Sequence, residues 1–193
     1  MCWLIVRNGR FITRFNLDLR MASTLTELLY HCIWSTKNRE PMIDSSIEKS
    51  VWKIIAGTAS RNEMHALKIG GIENHIHALV QVPKTLSISE AMKLIKGGSS
   101  KEINRAVILP VGKFEWQEGY GAFTVSKSAV PAVSDYISKQ REYHSQITFE
   151  DEYVKFLQRH EVEYDPQYLW GVMNRRFPTM DRLIRNPGIK IPG

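Results

Sequence analysis

Between Leu28 and Trp34 every residue except His31 is apolar or aromatic. Side chains of a strand alternate between faces, so Leu28, Tyr30, Cys32 and Trp34 fall on one side and Leu29, His31 and Ile33 on the other. A run that is largely apolar on both sides reads as a strand buried in a sheet. Ser35-Thr36-Lys37-Asn38-Arg39 then closes it with polar loop residues. The rest of the chain has to supply that strand with neighbours and cover.

The order of periodic segments says how. Ser45 and Glu48 have capping-box spacing, and Ile47, Val51, Ile54 and Ile55 recur at helical period, which predicts a helix to about Asn62. His65–Gly70 and His75–Val82 read as two strands joined through a turn at Gly71 and Asn74. Ser87 and Glu90 repeat the capping spacing before a second helix with Ile88, Met92 and Ile95 inward; Gly97-Gly98 is expected to interrupt it. Phe114–Ser126 reads as strand, loop and strand. Pro131 suits the first turn of a helix expected from about Val130 to Ser145, and Tyr153–Leu157 reads as a short helix. The expected class is α+β, a mainly antiparallel sheet with helices packed on one face.

Length and composition fit one domain. The chain has 193 residues, 43% hydrophobic and 24% charged, which excludes a disordered chain. No apolar run approaches the roughly 18 residues of a membrane span, and the opening apolar stretch stops at Arg7, too early for a signal-peptide core. Cys2 and Cys32 make neither a disulfide framework nor a zinc cluster, which fits a reducing cytoplasm. The net charge of +6 sits mostly at the ends. Residues 1–20 carry four Arg against Asp18, and residues 172–193 carry four Arg and Lys190 against Asp181, so the body is close to neutral. We therefore expect an N-terminal arm or over-extended start at 1–20, a domain at 21–171 and a basic tail at 172–193. Within the body, Lys84, Lys93, Lys96, Lys101, Arg105 and Lys113 form a basic stretch that suits either a solvated helix face or a polynucleotide backbone.

Two constellations carry chemistry. His75 and His77, two apart on a strand, project from one face and suit one metal ion; the plainer reading pairs them with polar neighbours at a strand end. Tyr136, Gln140 and His144 follow at helical spacing on one broad face, which by itself reads as the edge of an amphipathic helix. If the two sites meet, a phenol lies near a metal, with Gln140 offering a third oxygen ligand. His31, His65 and His160 read as structural or surface residues.

His75-Ile76-His77 and Tyr136-Ile137-Ser138-Lys139-Gln140 resemble the two signatures of the single-tyrosine HUH transposases, named for a His–hydrophobic–His metal site. Tyr30–Arg39, Lys96–Lys101 and Trp116–Gly121 are also similar to that family, and Phe156–Trp170 resembles its REP-associated tyrosine transposase branch. The resemblance implies a ferredoxin-like sheet, a homodimer, and cleavage and rejoining of single-stranded DNA near hairpins with Mg²⁺ or Mn²⁺. It implies that His75, His77 and Gln140 hold the metal and that Tyr136 is the nucleophile, leaving a 5′-phosphotyrosine. In that setting Lys96, Lys101 and Arg105 would follow a DNA backbone, with Trp116 and Tyr120 stacking on bases. The alternative is a hairpin-DNA-binding protein that kept the fold and lost the reaction.

Overall fold

The computed structural model describes residues 6–7, 10–11, 24–106 and 112–169. The expected tail at 172–193, and the arm at 1–20 apart from two short strands, Val6–Arg7 (β1) and Arg10–Phe11 (β2), lie outside the described residues. The main sheet has four strands: β3 (Leu28–Ser35), β4 (His65–Ile72), β5 (His75–Val82) and β6 (Gly121–Thr124). Their order is β4-β5-β3-β6 and every pairing is antiparallel. Helices α1 (Glu48–Arg61) and α2 (Ile88–Ala106) connect β3 to β4 and β5 to β6. The resulting β-α-β-β-α-β path is the ferredoxin-like arrangement.

Each face of β3 has its own partners. Cys32 and Trp34, with Ile76, Ala78 and Val80 of β5, pack against Val51, Ile55 and Ala59 of α1 and Ala91, Met92 and Ile95 of α2. At roughly 1.5–3 kcal/mol for each large side chain, this layer dominates the hydrophobic stabilisation. The opposite face of the sheet carries Ile33 and Phe123 beneath Phe149 and Leu157 of α5 (Phe149–Arg159). The expected one-sided cover thus describes α1 and α2, while the C-terminal helices cover the second face.

Three local expectations are corrected. Helix α2 runs unbroken through Gly97-Gly98, because Gly98 is where α1 comes close: a Cβ there would sit 2.6 Å from Thr58 Cγ2. The α1 start is organised by Asp44, whose Oδ1 accepts the Ser46 backbone N–H at 2.7 Å, rather than by Ser45. The expected Val130–Ser145 helix is two pieces, α3 (Val130–Ser138) and α4 (Gln140–Tyr143), joined at Lys139. Lys139 donates to both the Asp135 and Tyr136 carbonyls, so the path continues with a local tightening.

Helix α3 is seated directly on β4. Gly70 pairs with His77 across the sheet, and a Cβ at Gly70 would lie 2.3 Å from the Ile137 carbonyl oxygen. Backbone cannot step aside as a side-chain tip can. Gly70→Ala is expected to destabilise the protein by about 1–3 kcal/mol, read as a lower denaturant midpoint. Gly97→Ala, where nothing lies within 4 Å of the new methyl, is the control and is expected to be neutral or stabilising by up to about 1 kcal/mol.

Candidate metal and nucleophile site

The β5 register puts His75 and His77 on the face turned toward α3–α5, both fully buried. Each ring is oriented through its second nitrogen. His75 Nδ1 donates to Asn74 Oδ1 at 2.8 Å, and His77 Nδ1 shares a proton with His31 Nε2 at 3.0 Å. Helix α4 adds Gln140, 1% exposed, and His144 follows at its C-terminus, its Nδ1 donating to the Ile147 carbonyl at 2.9 Å. Helix α5, capped by Thr148, turns Glu152 into the same space, also 1% exposed. His75, His77, His144 and Glu152 each offer a ligand atom, all within 4.8 Å of one another.

The polarity of this cluster is its main feature. Acceptors at Nδ1 fix the proton there for His75 and His144, so their Nε2 atoms present lone pairs. Burial pushes both rings below the usual imidazole range, and pushes His77 down to about 3. These two Nε2 atoms therefore face acceptors: Glu152 Oε2 at 3.7 and 3.1 Å, and Gln140 Oε1 at 3.5 and 3.2 Å. His77 Nε2 lies 3.3 Å from Glu152 Oε2, and both atoms are buried without a hydrogen-bond partner. Burial lifts the Glu152 carboxyl to about 8. One proton on Glu152 would satisfy one of these acceptors at most. A divalent cation would satisfy all of them, and ligand separations of 3.1–3.7 Å are those spanned by bonds of roughly 2.0–2.3 Å. The residues fit a metal ion.

Tyr136 stands at the edge of the cluster. Its hydroxyl donates to Glu152 Oε1, to which Gln140 Nε2 also donates at 3.4 Å. Its ring lies 5.8 Å from the His77 ring and 6.1 Å from that of His31. A tyrosine hydroxyl, its carboxylate acceptor and a group of side chains that could hold a metal ion thus meet within one chain.

The structure brings together His75, His77, Gln140 and Tyr136, and it leaves the basic and aromatic set elsewhere. Lys96, Lys101 and Arg105 lie on α2, which covers the sheet face opposite the two histidines. Lys96 Nζ donates to the Glu118 and Gly119 carbonyls at 2.7 and 2.8 Å and sits 5.7 Å from the Tyr120 ring centre. Arg105 pairs with Glu102 at 2.6 Å, and Lys101 is exposed. Trp116 is a core residue: it packs edge-on against Trp34 and Phe114, and its Nε1 donates to Ser99 Oγ. Tyr120 is exposed. Sequence reasoning missed three contributors. His31 reads from sequence as a structural or surface residue, yet it shares a strand face with Ile33, which the pairing places opposite His77. His144 was visible as the next i+4 step after Gln140. Glu152 had one faint signal, a carboxylate inside the apolar stripe Phe149, Tyr153, Phe156.

Residues 24–140 match the family model described as Transposase IS200 like, a span that includes both histidines of β5, Tyr136 and Gln140. The chain is 24% identical over 122 residues to the ISDra2 transposase TnpA of Deinococcus radiodurans, covering 60% of this chain and 86% of that one. It is 26% identical over 126 residues to the transposase for insertion sequence element IS200 of Salmonella typhimurium, covering 63% and 82%. Among solved structures, a REP-associated tyrosine transposase bound to a REP hairpin is similar with a TM-score of 0.48 and 12% identity, over 65% of this chain and 73% of that one.

Two measurements probe the site directly. His144→Ala is expected to weaken Mn²⁺ binding at least about tenfold in calorimetric titration, while Lys139→Ala leaves it unchanged. With divalent ions chelated, Glu152 stays protonated in the fold to about pH 8 but ionises near its ordinary 4.5 when unfolded. The unfolded chain then binds fewer protons, so stability falls as pH rises between those values. Below about 6.5 the buried imidazoles oppose that trend. Melting temperature should therefore drop from pH 6.5 to 8 and level off above, and Glu152→Gln should remove the drop.

Proposed function

The chain belongs to the IS200-like transposase family, and on that premise we propose that it cleaves and rejoins single-stranded DNA near hairpins, with Tyr136 as the nucleophile. The observation that carries this reading is the contact between the Tyr136 hydroxyl and Glu152 at the rim of a buried metal-binding cluster. A metal bound there would polarise a backbone phosphate and stabilise the charge that develops as it is attacked.

The chain's own residues account for the remainder. Glu152 Oε1 accepts the Tyr136 hydroxyl, and in the ionised form that a cation beside it would favour, the carboxylate would take that proton as the phenolic oxygen bonds to phosphorus. The bond to the 3′ oxygen breaks, leaving a free 3′-hydroxyl and a 5′-phosphotyrosine on Tyr136. Reversal by another 3′-hydroxyl rejoins the strand, so no ATP is required. His75, His77 and Gln140 would hold the ion, with His144 and Glu152 beside them. His31 positions His77 through the 3.0 Å bond to Nδ1. Three imidazoles, a carboxylate and an amide oxygen suit Mn²⁺ or another first-row transition ion better than Mg²⁺. On this reading Lys101, Arg105 and Tyr120 form an accessory DNA surface on α2 and the loop before β6.

The expected partner is single-stranded or hairpin DNA, and the expected assembly is a homodimer whose sites are each built within one chain. Tyr136→Phe keeps the ring and removes the hydroxyl. It should abolish the covalent protein–DNA band on a denaturing gel while metal binding stays near normal. His77→Ala should abolish the band and weaken metal binding together. Mixing Tyr136→Phe with His75→Ala protein should restore no adduct, because each site needs both residues from its own chain. An adduct mapped to Tyr143 or Tyr120, or free cut ends without any adduct, would overturn the assignment.

A further inference from the structure

A groove of about 960 Å³ opens directly from Tyr136 and Glu152. Its floor is aromatic. Phe156 lies 5.8 Å from the Tyr136 ring and 5.6 Å from that of Phe123, and His160 stacks on Phe123 at 4.4 Å. Small residues of α3, including Ala132, form the opposite wall. Lys155 and Arg159 stand on the α5 wall, exposed and one helical turn apart. Neither makes an ion pair among the described residues, unlike Arg105, Lys93 or Arg141.

This combination selects an occupant. An aromatic floor accepts a flat ring of either polarity, and two exposed cations at i and i+4 suit backbone phosphates. The groove is continuous with the proposed nucleophile, so whatever fills it lies next to the attacked phosphate. In the rival groove, beside Lys96, that ammonium is held by two carbonyls, Lys37 and Lys93 are ion-paired, Trp116 is buried and Tyr120 supplies the exposed ring. We propose that the groove beside Tyr136 seats the unpaired nucleotides flanking the cleaved phosphate, bases on Phe156 and His160 and phosphates at Lys155 and Arg159. The proposal rests on the strand-transfer reading and adds to it the subsite that requires the strand to be unpaired there. A duplex cannot lay a single base on this floor without opening.

Full-length protein in chelator, where no cleavage occurs, is titrated into fluorescein-labelled dT12 and into a 12-base-pair duplex. We expect dT12 to bind more tightly than the duplex. Lys155→Ala with Arg159→Ala should weaken dT12 binding tenfold or more and reduce the log K against log salt slope by about 1.4, at roughly 0.7 per phosphate. His160→Ala should weaken binding about tenfold with little change in slope. Lys49→Ala with Lys53→Ala removes an equally spaced exposed pair on α1 and should bind as the parent does. All the changed residues are exposed, and unchanged melting curves would establish that each variant folds. Equal binding of dT12 by the Lys155/Arg159 variant, or equal binding of duplex and dT12 by the parent, would overturn the subsite. If that variant binds normally and Tyr136 still forms its covalent adduct, the subsite alone has failed. If the parent binds no dT12 and forms no adduct, the strand-transfer reading fails with it.

Discussion

Three imidazoles converge on one buried carboxylate with a glutamine oxygen beside two of them, and that arrangement of acceptors sets the terms for the rest of the structure. The Nδ1 partners Asn74 and the Ile147 carbonyl fix where the protons are, and burial keeps the rings neutral. A cluster so poor in donors is costly to hold together. It is tolerated because the groups sit on elements pinned by stronger forces: β5 at the centre of the sheet, α3 against Gly70, and α5 on the Ile33–Phe123 layer. The large core on the opposite face supplies stability that the site consumes.

Strand β3 shows how one alternating run can serve both needs. Its Cys32 and Trp34 side belongs to the α1/α2 core, while its His31 and Ile33 side supports the site. The period-two pattern was legible at once, and so were the four elements that follow it. The assignment of His31 was not. A lone histidine in an apolar strand has no signal until the register places its neighbour Ile33 opposite His77.

Legibility elsewhere followed the range of the interactions. His75 with His77, and Tyr136 with Gln140, are local spacings, so their shared faces could be read directly. Glu152 could not be, since an acid in the first turn of a helix ordinarily answers the helix dipole. Here Glu150 and Asp151 lie in that turn too, while Glu152 points inward among rings from β5 and α3. Gly97-Gly98 misled for a related reason. Glycine within a helical pattern reads as a break, but at Gly98 it admits Thr58 of α1, a contact forty residues away in sequence. The family resemblance implies a stacking role for Trp116, whereas its indole N–H is committed to Ser99 in the core.

The attachment of α3 and α4 bears on where the proposed nucleophile works. Arg141 on α4 reaches Glu73 in the β4–β5 turn at 2.7 Å and pairs with Glu48 at the start of α1. Half-exposed ion pairs of this kind contribute little individually, about 0–1 kcal/mol. They do define an orientation, and the close backbone approach of Ile137 to Gly70 adds a steric fit that a side chain at position 70 would destroy. Tyr136 and Gln140 flank Ile137 in sequence and both reach Glu152, so the residue that seats the helix on the sheet also anchors the backbone that carries them. Exchange of these helices between subunits would have to reproduce the Gly70 contact, both Arg141 pairs and the Tyr136–Glu152 hydrogen bond in the partner. All of them already form within one chain, which is the physical basis for treating each site as complete in a single subunit.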